Sequence, residues 1–461
     1  MSRRITIDPI TRLEGHGKIH IDYDARGEVE RAYLQVPDFK GFEKFCEGRA
    51  AEEMPTLTQK ICGVCPTAHH TASSKALDAL FGAEPPAAAK KVRELLYNAF
   101  VFEDHLLHLF VLGGPDFLVG LEAPKDRRHF FGVLNELGAE IVGEVIGIRK
   151  RVRNIHARIG GSALYPVWGL PGGIAKAVSE EDRDAIQPVV GEAVEFAKFA
   201  LGLFYDRVLN QKEYLDLLFH DAMRHRTYYM GLVDAEGKVN FYDGRLRVVD
   251  PKGNEAFQFD GGDYWKHLEE RVDPVTYLKP IYLKGIGWKG YVDGEESGLY
   301  RVGPLARLNA SEGMATPNAH AEFERMYDLV GGKPAHHTMA YHWARLIELV
   351  YAAERMAQLV EDEELTSPQV RNLCSPRAGE GVGVCEAPRG TLIHHYRGDE
   401  DGMITRANLL VATQHNGAPI SMSVEKAARF FARGSGVSDK NLNLVEVAFR
   451  AYDPCLACAT H

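Results

Sequence analysis

The chain has 461 residues, 45% hydrophobic and 26% charged, with a formal net charge of −10. That is the make-up of a soluble globular protein able to bury a large core, and the acidic balance argues against a nucleic-acid surface. Seven cysteines, an odd number that includes two C-x-x-C pairs, argue against a disulfide scaffold and for a metal site in a reducing compartment. Met1-Ser2-Arg3-Arg4 lead straight into strand-like alternation with no apolar run behind them, so no signal peptide is expected. Residues 4–36 read as strands: Ile5, Ile7, Ile19, Ile21 and Tyr23 alternate with polar neighbours, and 25–28 reads as a hairpin turn. Glu14 falls between the first two strands, where a glutamate is ordinarily just solvated. Glu43 reads as a surface residue opening a helix, with Phe42 and Phe45 packed inward.

Pro66 follows Cys65, and residues 67–81 are predicted helical, because proline is favoured at a first helical position. Cys65 then stands at a helix N-terminus, where the dipole favours thiolate over thiol. His69 lies one turn on, on the same side. Helical periodicity marks 88–112, 134–158, a helix opening at a Ser179/Asp182 capping pair and running to about 210, and 338–361. These helices are expected to pack as a bundle. The most apolar stretch, Leu95 to Leu112, is interrupted by Glu103, Asp104, His105 and His108, so no membrane span of about 18 apolar residues is expected. Asp104 sits on an apolar stripe, and a buried carboxylate needs a partner. Residues 213–310 turn to strand-like runs and many turns, a β-rich excursion from the helical body. Residues 380–421 read as loop and strand, with Pro388-Arg389 in a glycine-bordered turn where an arginine is ordinarily a surface residue. Cys46, Cys374 and Cys385 read as ordinary buried thiols. His336-His337 and His394-His395 fit no ligand motif and read as structural or supporting groups. Gly285-Ile286-Gly287-Trp288-Lys289-Gly290 has the G-x-G-x-x-G spacing but no helical pattern behind it, so any nicotinamide or flavin site is expected on another chain. The expected fold is α+β: one domain, 1–461, with N-terminal strands (1–50), a central long-helix body (60–210), the β-rich excursion (213–310) and a C-terminal helical and loop part (335–461).

The chemistry concentrates in Cys62-Gly63-Val64-Cys65 and Cys455-Leu456-Ala457-Cys458. Four thiolates select zinc, iron–sulfur or other soft transition-metal centres. A zinc ribbon separates its pairs by about 15–20 residues. Here nearly the whole chain lies between them, so the centre is expected where the two halves of the fold converge.

Lys60-Ile61-Cys62-Gly63-Val64-Cys65 with His69, and Asp453-Pro454-Cys455 through His461, resemble the signature of the large subunit of nickel–iron hydrogenases. Asp8-Pro9-Ile10-Thr11-Arg12-Leu13-Glu14-Gly15-His16, Phe39-Lys40-Gly41-Phe42-Glu43 and Glu386-Ala387-Pro388-Arg389-Gly390 match further motifs of that family in order, covering essentially the whole chain. Lys60 departs from it, standing where the family usually has arginine. The resemblance implies a nickel–iron hydrogenase large-subunit-like fold that splits dihydrogen heterolytically and reversibly. It implies Cys62 and Cys455 as terminal nickel ligands and Cys65 and Cys458 as bridges to an iron that carries carbon monoxide and cyanide. It implies Glu14 as the first proton carrier from the Cys455 sulfur, and Arg389, held by Asp104 and Asp453, as a fixed positive charge over the open site. His69 would hydrogen-bond the bridging sulfur, and Pro388, Arg389 and Thr413 would surround the diatomic ligands. Glu43, the Leu409 carbonyl and His461 would hold a magnesium (or iron) ion. The family loses a C-terminal extension after this histidine, so a chain ending at His461 resembles the mature form. The three other cysteines, Cys46, Cys374 and Cys385, form no iron–sulfur motif, which implies an iron–sulfur small subunit. The chain is most similar to the cytoplasmic group, whose partners are nicotinamide, deazaflavin or heterodisulfide-reducing modules, and within it to the viologen-reducing, heterodisulfide-linked kind. Two other classes share these features: a hydrogen sensor or assembly protein with the same fold, and a zinc protein with four thiolates. A relative in respiratory complex I keeps the fold without the cysteines, and the presence of all four argues against its quinone-site role.

Overall fold

The computed structural model describes residues 3–434 and 436–461. Met1 and Ser2, part of the segment from which the lack of a signal peptide was read, and Ser435 lie outside them. Strands Arg3–Ile7, Lys18–Tyr23 and Val29–Gln35 form an antiparallel meander in that order. Ile5 pairs with Ile21 and Ile7 with Ile19, so the apolar alternation becomes one inward face, on which Ile19 and Ile21 are fully buried. Glu14 rides on the loop between the first two strands.

Four long helices form the body: Ala87–Leu107, continued by a wider turn at His108–Leu112, then Phe130–Gly160, Glu180–Phe204 and Ala340–Glu361. Val92, Leu95, Val145, Ile148, Leu346 and Leu349 from their apolar stripes meet in one core. Ser179 caps the third helix, its Oγ accepting from Asp182 N at 3.0 Å while the Asp182 carboxylate accepts from Ser179 N at 3.2 Å. By length and composition Ala87–Leu112 could cross a bilayer, but 83% of its most apolar window is buried inside the protein.

Between residues 213 and 310 a four-stranded sheet runs in the order Tyr300–Arg301, Tyr228–Val233, Arg245–Val249, Glu255–Phe259. Its apolar side packs Met230, Leu232, Leu246 and Val248 against Val384, Ile393 and Leu410 of the C-terminal sheet. Several helices lie where the sequence pattern shows none. Lys212–Leu218 and Pro304–Ala310 sit inside the stretch read as β-rich, and Pro317–Val330 follows it. Gly417–Phe431 opens inside the stretch read as loop and strand. Gly417 and Pro419 look like breakers, yet a proline in a first turn has no backbone bond to lose. Two packing expectations also change: Phe45 is 49% exposed, with Arg49 over its ring, and Cys374 is only partly buried.

The site is carried by helix Pro66–Phe81, which lies across the antiparallel sheet Gly379–Ala387, Gly390–Gly398, Ile404–Leu410. Gly381 and Gly383 make that contact possible. A Cβ at Gly383 would stand 2.0 Å from the Ala72 carbonyl oxygen, and one at Gly381 2.2 Å from that of Ala76. Buried ions then lock the layers. Arg307, fully buried, pairs with Glu348 at 2.6 Å and Glu386 at 2.7 Å and donates to the Ala387 carbonyl at 2.8 Å, which fixes the Pro388-Arg389 turn. Asp116 receives Arg12, Arg450 and Arg128 at 2.5, 3.0 and 3.4 Å, tying the loop before Glu14 to the helix Asp439–Arg450. Burial pushes the Asp116 carboxyl up, but the three guanidiniums outweigh it and hold it down at about 2.

Two outcomes follow. Gly383→Ala should cost about 1–3 kcal/mol by overpacking and lower the thermal midpoint, with an unchanged midpoint counting against the close approach. A carboxylate depressed in the folded state contributes stability that is present above its unfolded pKa and lost as pH falls toward its folded one. Wild-type protein should therefore lose about 2 kcal/mol between roughly pH 4 and pH 2 that Asp116→Asn does not lose, as read by denaturant titration across that range.

Candidate metal centre

The two cysteine pairs reach one point by different local routes. Cys62 is extended, at φ −139° and ψ 136°, and Cys65 is the N-cap of helix Pro66–Phe81. This geometry turns the Val64 and Cys65 N–H groups onto Cys62 Sγ at 3.2 and 3.3 Å. At the other end Asp453 takes a left-handed φ of 54°, and the short helix Leu456–Ala459 follows Cys455. Thr413 Oγ1 accepts the Cys455 N–H at 2.9 Å. Glu14 joins the two ends: its carbonyl accepts from Leu456 N at 2.9 Å, and its carboxylate takes Ala457 N at 3.1 Å and Cys455 Sγ at 3.0 Å. Gly15 lets the loop come this close, since a Cβ there would stand 2.6 Å from Ala457 N.

Cys62 Sγ lies 3.4 Å from Cys455 Sγ, Cys65 Sγ 3.3 Å from Cys458 Sγ, and all four buried sulfurs fall within 4.8 Å of one another. Sulfurs around one tetrahedral ion with bonds of about 2.3 Å sit roughly 3.8 Å apart, so this donor set fits a soft cation. Among the described residues it is the one group of three or more ligating side chains this close. Hydrogen bonds from Cys455 and the other two thiols hold Cys62 well below the usual thiol range, while burial pushes Cys455 and Cys458 well above it. A divalent or higher cation would hold all four as thiolates.

Cys65, Cys455 and Cys458 open onto a cavity of about 10 Å³, also lined by His69, Ala387, Arg389, Leu392 and Thr413. That is room for one water-sized molecule. Arg389 projects from the hairpin turn and is gripped by Asp104 at 3.1 Å and Asp453 at 3.2 Å. Burial opposes its charge, but the two carboxylates more than offset this and keep it cationic. Burial pushes Asp104 up to about 7 against the pull of Arg389. Burial, and after it the Cys62 charge, raises the Glu14 carboxyl above its ordinary range. His69 faces the cavity, with Nδ1 3.1 Å from His394 Nε2. Pro388 is not among the lining residues; its neighbour Ala387 is, and the Pro388 carbonyl accepts from Arg307 at 3.2 Å.

The second expected cluster is partly assembled. Glu43 Oε1 lies 3.5 Å from His461 Nε2, and His461 Nδ1 lies 2.8 Å from the Cys458 carbonyl oxygen. Burial pushes Glu43 up, but His461 and the Leu409 N–H draw it below its ordinary range. Leu409 is beside this pair, its N–H donating to Glu43 Oε1 at 2.7 Å. Lys60 does not point at the cysteines: its ammonium stands 3.6 Å over the Tyr165 ring.

Sequence reasoning passed over Arg307 and Asp116, which brace the Arg389 turn and the Glu14 loop, and read His394 as a structural or supporting group without naming His69 as what it braces. Strand alternation was the available signal for His394, because Leu392, His394 and Tyr396 share the inward face of one strand.

The family model described as nickel-dependent hydrogenase matches residues 40–129 and 295–461, and one described as HoxL-like matches 4–39. The chain is 47% identical over 460 residues to an F420-non-reducing hydrogenase iron-sulfur subunit of Archaeoglobus profundus, covering 100% of this chain and 94% of that one. It is 37% identical over 476 residues to the NAD-reducing hydrogenase HoxS subunit beta of Cupriavidus necator, covering 100% and 95%. It superposes on a crystal structure of an NAD+-reducing NiFe-hydrogenase in the H2-reduced state with a TM-score of 0.93 at 38% identity, covering 100% and 99%.

Removing one sulfur tests the donor set. Cys458→Ser should fold but fail to retain stoichiometric nickel after dialysis, and metal analysis showing undiminished nickel would contradict a four-thiolate centre.

Proposed function

The chain belongs to the nickel-dependent hydrogenases as their large, catalytic subunit, and from that premise we propose how its residues divide the work of splitting dihydrogen. The single observation that carries the proposal is the convergence of four sulfurs on one point, where three of them and the Arg389 guanidinium line a cavity of molecular size and the Glu14 carboxylate touches Cys455. Bound nickel and iron supply the Lewis acidity that polarises dihydrogen and a sink for its electrons. Each cysteine of the first pair stands against its counterpart in the second, Cys62 with Cys455 and Cys65 with Cys458. This pairing fits the assignment that the family resemblance implies, in which Cys62 and Cys455 would be terminal nickel ligands and Cys65 and Cys458 would also hold the iron. Arg389 supplies fixed positive charge that needs no rearrangement during reaction, and it is not the base, because a guanidinium keeps its proton. Glu14 takes the proton from the Cys455 sulfur: the two are in hydrogen-bond contact, and a carboxyl raised above its ordinary range holds a proton more readily. Carbon monoxide and cyanide on the iron would lie among Arg389, Thr413 and the Ala387–Pro388 turn. A magnesium or iron ion would take Glu43 and His461 as ligands, with Leu409 beside it.

Electrons must leave through another chain. The remaining thiols, Cys46, Cys374 and Cys385, form no cluster among the described residues, and burial pushes Cys46 and Cys385 up to about 12. The relatives are parts of multi-subunit hydrogenases, which supports direct transfer to an iron–sulfur small subunit. Beyond it we favour a heterodisulfide-reducing module over a deazaflavin or nicotinamide one. Several relatives are named F420-non-reducing, and identity to one of these exceeds that to the NAD-reducing relative. All seven cysteines are free, which suits the reducing cytoplasm.

The purified complex should hold stoichiometric nickel and iron and show infrared bands of carbon monoxide and cyanide; zinc alone would refute the assignment. Glu14→Gln should keep both metals and slow hydrogen–deuterium exchange with the gas by about 10²–10⁴-fold, whereas an unchanged exchange rate would remove Glu14 from the proton path.

A further inference from the structure

A second cavity, of about 540 Å³, lies on the C-terminal sheet, on the face turned away from helix Pro66–Phe81. That is the size of a small-molecule site. Strand register builds its floor. Glu380, Arg397 and Arg406 stand opposite one another across the three strands; two residues along, His395 stands opposite Asn408, and two further on Ile393 stands opposite Leu410. The floor therefore grades from ions, through hydrogen-bonding groups, to an apolar end. Its middle is held by Tyr264, whose hydroxyl lies 3.0 Å from His395 Nδ1 and accepts from Asn408 Nδ2 at 2.9 Å. The facing wall is the short helix Tyr264–His267 and the strand Leu268–Glu270, which bring Trp265 and Glu269 to the cavity.

Opposite charges stand on floor and wall. Arg397 and Arg406 are a directly opposed pair, where like charges repel. Glu380 offsets one of them, accepting from Arg397 Nε at 2.8 Å. Arg406 has no hydrogen bond, ion pair or ring contact among the described residues. On the wall, Glu270 accepts from Gln414 at 2.6 Å and Glu269 from the Tyr282 hydroxyl. A carboxylate has about four acceptor positions, so Glu269 keeps open ones. The Trp265 ring is 55% exposed. An unpaired arginine or an exposed tryptophan is ordinary on a surface; here both line one concave site, with a carboxylate across from the guanidiniums.

These groups select a ligand with three properties. Paired guanidiniums match the oxygens of a phosphate. An exposed indole offers a stacking face to a planar ring. A carboxylate accepts N–H groups from the edge of a base. We propose that this cavity binds a mononucleotide, with its phosphate on Arg397 and Arg406 and its base stacked on Trp265 and donating to Glu269. None of the four clustered cysteines lines it, so the site stands independently of the metal centre and of the hydrogenase reading.

Electron cryo-microscopy of the purified complex with guanosine monophosphate locates the ligand, and calorimetric titration of the full chain measures its affinity. The expected map shows the nucleotide in this cavity, phosphate toward Arg406. Arg406→Ala and Trp265→Ala each alter an exposed side chain and should leave the thermal midpoint unchanged while weakening binding about 10–100-fold. Inorganic phosphate, which lacks the ring, and guanosine, which lacks the phosphate, should each bind at least about tenfold more weakly. An empty cavity in the map overturns the proposal, as does an affinity that Arg406→Ala leaves unchanged or that inorganic phosphate alone reproduces.

Discussion

Four thiolates buried within a few ångströms of one another are stable only around a cation; without one, burial keeps the protons on Cys455 and Cys458. Each thiolate brought into a dry interior costs several kcal/mol, and four together repel. The surrounding structure answers this constraint. Backbone N–H groups point at Cys62, the Arg389 guanidinium stands over the cavity between two carboxylates, and the Pro66–Phe81 helix directs its N-terminal dipole at Cys65. None of these neutralises four negative charges, so a metal that held all four cysteines as thiolates would enter the fold's electrostatic balance as well as its chemistry.

The same logic explains the buried ion clusters away from the cysteines. Asp116 with its three arginines, Arg307 with two glutamates and Arg389 with two aspartates each join parts of the chain far apart in sequence. Removing one partner from a buried pair costs more than the pair contributed, because a lone charge remains. A slipped packing of the C-terminal sheet on its helix would strand such charges. The clusters therefore fix register, and with it the sub-ångström placement a catalytic site needs.

What was legible in the sequence was local or strongly patterned. Ile19 and Ile21 in their strand, Pro66 behind Cys65 and the Ser179 cap all act through neighbours a few residues away, and each lies where its pattern indicates. The cysteine spacing pointed to a metal and to distant ends meeting, but the identity of that metal came from resemblance to a family. Arg307 and Asp116 were opaque, and His394 legible only as a supporting group, because nothing near them in sequence records partners that lie far along the chain. Phe45 was misplaced because helical period alone does not say which face of a five-residue helix is buried. Gly417 and Pro419 hid a helix start behind residues that more often end one.

The bridge between Glu14 and Cys455 has a consequence for how the molecule is made. Ribosomes release polypeptide from its beginning, so Cys62 and Cys65 emerge hundreds of residues ahead of the sulfurs they will face. Throughout that interval they form a half-occupied dithiol, open to oxidants and to whichever ion arrives first. Closure across so long a span is slow, because the entropy of bringing the ends together is spent before any contact repays it. A site split in this way is complete only once the last segment has folded over the first pair, so filling it is tied to the final step of folding.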